Sequence, residues 1–479
     1  MKVLVVSGRK AHQTVKKAVG DSADVLLLDV DVAAFITPDL LSSVPVSNDN
    51  YDLILVPGLS AGDFSKLEEE TGVKIRLGPK HACDLNRVLS QADGIEFSHT
   101  VPACQLLSTK KYEEAVKKAD ELEKSAGYKF KLRDLKIGGN SMMKVMGEIV
   151  DATSMPEEKL QRIAWDFIAQ GADIIDMGVA MDATPVEVIN SVDAVSHLKT
   201  PISIDTLDPD LILATLETTD VDMVLSLNSD GLKAAGKAIA DQGTAAVIIP
   251  DSDLESLQKN IRLAQETGLE NIIADPILRP IGEGLIDSLV AYHSFRQKSD
   301  LPLFFGVGNV TELIDADSIG INAILAGVAM EVGANILFTP QYSAKTSGSI
   351  SELKTAAQMM LLARDRCTPP KDLGLDLLVV KEKRHRTSDM EINKPIKAKP
   401  HAARQDPKGF FSIALRDGKI IANHEDASIV GTSAKAICDT ISDLGLVSLT
   451  EHAAYLGREL MKAELALRFG RSYTQDDDF

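Results

Sequence analysis

The residues with the most chemical content in this chain are aspartates and asparagines set at the ends of short apolar runs. Asp151 follows KVMGEIV, Asp176 lies in ADIIDMG, Asp205 closes PISID and Asn228 closes MVLSLN. Asp275 closes NIIAD, Asn309 follows LPLFFGVG, and Lys345 lies beyond ANILFTP. No histidine pair stands at metal-ligand spacing, and no Ser-His or Cys-His pair is evident, so no protein-held metal or nucleophile is assigned. The set is one of carboxylates and amides. A carboxylate facing an amino-amidine edge accepts two parallel, charge-assisted hydrogen bonds that fix orientation as well as affinity. A flat, nitrogen-rich heterocycle is therefore the ligand such a set suits. The rival reading is that a strand-end aspartate only caps the next helix, as Asp208 is expected to do.

These residues need a scaffold that gathers strand ends. Eight apolar runs between Met143 and Pro340 have strand length and alternate with helix-length segments, which implies a parallel sheet. Capping boxes are expected at Ser154 with Glu157 and at Thr184 with Glu187. Pro185 and Pro209 fit the first helical position, after Thr184 and Asp208 as caps. Gly171, Gly268 and Gly333 each fit a left-handed helix end before the next strand. The fold class expected is α/β: a (β/α)8 TIM barrel over residues 131–366, with its polar strand ends converging on one mouth.

At 479 residues the chain exceeds one core, so further domains are expected. Residues 1–130 carry KVLVVSG, ADVLLLDVD and YDLILVPG between helical stretches, the pattern of a doubly wound α/β domain. Gly8 and Gly58 read as tight turns, because VSGRKAHQ is no GxGxxG. Residues 379–405 hold eight Lys or Arg against three acids and two prolines, and read as a basic linker. Residues 406–479 read as a small α+β domain, with Asp417-Gly418 as a hairpin turn and helices over Ser433 to Leu444 and Glu451 to Phe469. His424, His452 and Glu459 there lack a metal-spacing motif and are taken as surface or contact residues. A net charge of −19 argues against nucleic acid or an anionic membrane as partner. Residues 1–10 lack a signal-peptide cleavage pattern, and the scattered Cys83, Cys104, Cys367 and Cys438 fit reduced thiols, so a cytoplasmic location is expected.

The order MGEIVD, GADIIDMG, ISIDT, ADP and GVGN resembles the pterin-binding barrels of dihydropteroate synthases and methyltetrahydrofolate methyltransferases. Over nearly the whole chain, including DPKGFFSIAL and HAAYLGRELMKAELAL, the sequence is similar to the archaeal dihydropteroate synthase-related proteins. The resemblance implies a transferase that joins a dihydropterin-6-methyl diphosphate to an arylamine in methanopterin- or folate-type biosynthesis, with Mg2+ at the diphosphate. Asp205 and Asp275 match the pterin-holding aspartates, Asn228 the strand-four asparagine, and Asp176 a more structural position. The synthase lysine after strand seven is absent: Gly308, Asn309, Val310 and Thr311 stand there. The arginine and histidine after strand eight are replaced around Phe338 and Thr339. Arg279 or Lys345 is expected to serve as the anion ligand instead. Gly147-Glu148 and GVGNV look more like the methyltransferase branch, which implies the alternative of methyl transfer with a separate corrinoid protein. A non-catalytic pterin-binding protein is the third alternative, and barrels of this kind imply a homodimer.

Overall fold

The computed structural model describes residues 1–45, 50–383, 394–399 and 404–477 of the chain. It divides into two compact units, Met1–Lys381 and Glu382–Phe479. The first unit opens with strands β1 (Val3–Ser7), β2 (Asp24–Leu27), β3 (Leu53–Val56) and β4 (Lys74–Leu77). They pair in parallel in the order β2-β1-β3-β4. The inner strands β1 and β3 are buried along their whole length and read as continuous apolar runs, because helices cover both faces. Leu4, Val6 and Ile54 pack on one face, and Val3, Val5 and Leu55 on the other.

Helix Ala103–Ser125 leads from this sheet to the barrel. Its Glu123 meets the buried Lys144 at 2.8 Å, and the same Nζ donates to the Met142 carbonyl. A hairpin of β5 (Phe130–Leu132) and β6 (Leu135–Ile137) follows. Its Leu132 and Ile137 pack with Met146, Ile174, Met223, Ala245, Ile273, Phe304 and Ile336, so the barrel's base is plugged by side chains.

The barrel strands are β7 (Lys144–Ile149), β8 (Ile174–Gly178), β9 (Ile202–Asp205), β10 (Met223–Leu227), β11 (Ala245–Ile248), β12 (Ile272–Ala274), β13 (Phe304–Phe305) and β14 (Ile336–Thr339). All pair in parallel in sequence order, β14 rejoins β7, and a bridge between Ala274 and Leu303 closes the ring. The fold is a TIM barrel. Along β7, Met146 packs inside the barrel while Val145 packs toward the helices, the alternation that a pleated strand requires.

Helix starts follow local chemistry. Thr184 and Glu187 form the reciprocal capping box, with Pro185 at the first helical position. Asp208 accepts from the Asp210 amide at 2.9 Å, ahead of Pro209. Gly171 ends the helix Glu157–Gln170 at φ 108. The expected box of Ser154 with Glu157 does not form. Ser154 closes a short 3-10 turn, Pro156 occupies the N-cap, and the helix begins at Glu157, which leaves no turn between hydroxyl and carboxylate.

The second unit has an antiparallel sheet of β15 (Ser412–Arg416), β16 (Lys419–Asn423) and β17 (Ser428–Gly431). Asp417 and Gly418 turn the hairpin at φ 50 and 68, the two left-handed positions that a tight hairpin needs. Helices Ala434–Asp443 and Thr450–Phe469 pack Ile437, Ile441, Leu456 and Leu460 onto Phe411, Ile413 and Ile420. Within the expected basic linker, residues 384–393 and 400–403 lie outside the described residues.

Candidate functional site

The barrel brings three acids together at its mouth. Glu148 on β7, Asp176 on β8 and Asp205 on β9 each offer a carboxylate oxygen, all within 4.8 Å of one another. Strand register places them: Glu148 lies beside Asp176, Asp176 beside Ser203, and Gly178 beside Asp205. Glu148 shares the inward face with Met146, two residues before it. Gly178 keeps this space open, since a Cβ there would sit 2.7 Å from Glu148 Oε1.

Their protonation is shifted accordingly. Asp176 is fully buried; Ser203 Oγ donates to its Oδ1, and Oδ2 has no hydrogen-bond partner among the described residues. Burial, then the charges of Asp205 and Glu148, hold its pKa well above the ordinary aspartate range. Burial, followed by Asp205 and Asp151, pushes Glu148 up to about 7. Burial also raises Asp205. Three carboxylates this close cannot all ionise in a low-dielectric site, so the group retains protons near neutrality and can donate as well as accept.

Asp275 follows β12, four strands from β8 in either direction around the ring, and so stands on the opposite wall from Asp176. It is 8% exposed. The Tyr292 hydroxyl donates to its Oδ1 at 2.6 Å and the Ile277 amide to the same oxygen at 2.8 Å. Burial pushes its pKa up to about 6 against the pull of those two donors.

The remaining candidates divide. Asp151 stands at the top of β7 in a left-handed conformation, φ 50, and its charge acts on Glu148. Asn309 donates from Nδ2 to the Leu278 carbonyl at 2.9 Å, and so holds the loop after Asp275. Asn228 was expected to assist at the ring, but its Oδ1 caps the helix Ser229–Gln242 through the Asp230 and Gly231 amides. Lys345, expected to hold an anion, is paired with Asp315 at 2.9 Å. Arg279 is exposed, in a cleft it shares with Asp251, Asp253 and Asp287. In the second unit, His424, His452 and Glu459 do not assemble into a ligand set. His424 Nε2 meets the Lys408 carbonyl at 2.6 Å, His452 meets Asp406 at 3.0 Å, and Glu459 accepts from Lys462 and Tyr473.

In the sequence Glu148 stands out only beside Gly147, as a marker of the methyltransferase branch. The signal for Glu148 was its period: it stands two residues after the inward-packed Met146. Nothing at Tyr292 marks it in the sequence.

Comparison with known proteins places these features. A family model described as the CO dehydrogenase/acetyl-CoA synthase delta subunit matches residues 152–299. A family of unknown function, DUF6513, matches residues 2–80, and one described as PterinBD-DUF4346 matches residues 405–476. Subunit gamma 1 of the acetyl-CoA decarbonylase/synthase complex of Methanosarcina thermophila is 26% identical over 37% of this chain and 38% of its own length. Among solved structures, dihydropteroate synthases from Yersinia pestis and Thermus thermophilus are each 19% identical, cover 47% of this chain and 95% of their own, and have TM-scores of 0.39 and 0.38. The protein MJ0107 of Methanocaldococcus jannaschii is 38% identical over 100% of this chain and 99% of its own length. With full-length identity at that level, the chain belongs to the family of MJ0107.

Proposed function

We propose that the barrel mouth binds a reduced pterin and serves group transfer from it. The observation that carries this reading is one barrel with acids on opposing walls: Glu148, Asp176 and Asp205 on β7 to β9, and Asp275 after β12. A pterin is flat and presents donors and acceptors around its rim. Both described bonds to Asp275 fall on Oδ1, so Oδ2 remains for an N–H of the amino-amidine edge. The protonated members of the trio supply neutral carboxyls, which serve ring nitrogens and oxygens alike. The family names matched over residues 152–299 and 405–476 support the same chemistry.

Two reactions fit a pterin here. Synthase-like joining to an arylamine releases diphosphate and requires positive charge for it. Glu148, Asp176 and Asp205 offer the hard oxygens that Mg2+ takes, and bound there it would neutralise part of their charge. However, a divalent ion there would be neutralised by the carboxylates it ionises and would leave no positive charge for a diphosphate; Lys345 is engaged by Asp315, and Arg279 sits among aspartates. The ligand set does not fit a Mg-diphosphate. Methyl transfer from a methylated reduced pterin to a separate corrinoid protein needs no anion site. The pterin nitrogen that gives up the methyl gains an electron pair, and Glu148, with a pKa of about 7, is suited to supply a proton. The match to the delta-subunit model supports this second reaction, which we favour.

The test offers the purified chain a methylated reduced pterin with a corrinoid protein and, separately, dihydropterin-6-methyl diphosphate with an arylamine. Pterin binding with methyl transfer is expected. Amine-dependent diphosphate release would restore the synthase reaction, and binding without turnover would make the protein a carrier. Absence of pterin binding overturns the reading.

A further inference from the structure

We propose that Tyr292 is the positioning residue of Asp275: from a helix outside the barrel, it orients the carboxylate and keeps it charged for the ligand at the mouth. This rests on the reading of the mouth as a pterin site. The loop from Asp275 to Arg279 leaves β12 without regular structure and is fastened at three points. The Tyr292 hydroxyl bonds Asp275 Oδ1 at 2.6 Å, Ser288 Oγ accepts the Arg279 amide at 3.2 Å, and Asn309 donates to the Leu278 carbonyl at 2.9 Å. Ser288 and Tyr292 lie four residues apart on one face of helix Leu285–Arg296, so a single rigid element clamps both ends of the loop.

Between the clamps the backbone is strained. Ile277 has φ 66, a left-handed conformation that a β-branched side chain adopts only under constraint. Its amide is directed onto Asp275 Oδ1, the oxygen that Tyr292 holds. Strain of this kind persists where surrounding contacts over-determine a conformation, as at ligand clamps. Tyr292 itself is fully buried, with its ring 5.0 Å from that of Phe305. Burial and the neighbouring Asp275 hold its own pKa well above the usual phenol range, so it stays a donor whenever Asp275 is ionised.

Few other charges reach Asp275. The flanking strands β11 and β13 are wholly apolar, its own loop carries only the exposed Arg279, and from the helix the group that meets it is Tyr292. No described residue forms an ion pair with it, and the trio of Glu148, Asp176 and Asp205 belongs to the opposite side of the ring. A carboxylate pressed upward by burial alone would be protonated, and an Oδ2 that carries the proton cannot accept the ligand's N–H. The phenol opposes that.

The experiment measures pterin affinity of the full chain from pH 5 to 9 by the ligand's fluorescence, using unsubstituted pterin, with the melting temperature followed alongside. Tyr292→Phe keeps the ring and removes the hydroxyl. Its acid limb is expected to move up by about one pH unit, with affinity about tenfold weaker on the limb and within about threefold of wild type at pH 9. Ser288→Ala loosens the same loop without touching the carboxylate and should leave the limb in place. Should Tyr292→Phe fail to fold, 3-fluorotyrosine at position 292, a stronger donor of almost the same shape, should move the limb down. An unmoved limb in these proteins, with only the melting temperature lowered, overturns the inference and leaves Tyr292 as packing. Unaltered pterin affinity in Asp275→Asn would instead overturn the pterin reading itself.

Discussion

Burial does different work at each acid of the mouth. Asp275, pushed up to about 6, is ionised at neutral pH yet enclosed, a state that costs folding free energy. Because its folded pKa lies above its ordinary value, its contribution to stability is fully present below about pH 4 and is lost as pH rises through about 6. The loss is roughly 2–3 kcal/mol. Asp275→Asn should flatten that part of the stability curve and raise stability at pH 7.5, seen as a higher urea midpoint, while pterin affinity falls at least about tenfold. Equal midpoints for wild type and variant at pH 7.5 would show that burial does not strain this carboxylate. Glu148 behaves with the same sign and a higher midpoint, about 7. Glu148→Gln should therefore stabilise the protein at pH 8 and do nothing at pH 4. A variant equally destabilised at both would mean that Glu148 is ionised and satisfied throughout.

At the scale of the element, local signals were most legible where one residue's chemistry decides the outcome. Thr184 with Glu187, Asp208 before Pro209, and Asp417-Gly418 acted as their sequence implies. The exception at Ser154 has a local cause too: Pro156 sets the helix start, so the spacing of hydroxyl and carboxylate was right and the register was not. Thr184→Ala should cost about 1 kcal/mol by denaturant unfolding, with ligand binding unchanged. Strand-end polarity was harder to read, because one residue type serves two purposes. Asn228 lies at a strand end, as a site residue should, and its oxygen caps the next helix. Gly178 links element to site: Gly178→Ala, which presses a methyl group against Glu148, should alter pterin affinity with no change of charge. Unchanged affinity would separate Glu148 from the ligand.

Over the whole molecule, cores tell the units apart. Residues 404–477 carry their own cluster of Phe411, Ile413, Ile420, Ile437, Leu456 and Leu460, beneath a sheet with two helices. A fragment spanning 404–479 should unfold in one cooperative transition by circular dichroism; a broad, non-cooperative melt would show that it needs the rest of the chain. The pair of buried Lys144 with half-buried Glu123 joins helix Ala103–Ser125 to β7, and Glu123→Ala, which removes the lysine's ion-pair partner, should cost about 3 kcal/mol by urea unfolding. By itself the sequence determined the alternation of strands and helices, the hairpin of the second unit and the level of the barrel at which Asp205 and Asp275 sit. These are consequences of periods and caps that act over a few residues. Only the tertiary structure decided that Glu148, from within an apolar run, would meet Asp176 and Asp205, and that Tyr292 would reach back 17 residues to Asp275. Proximity between neighbouring strands, or between a helix and a strand end, is set by register and barrel closure, and no spacing along the chain encodes either.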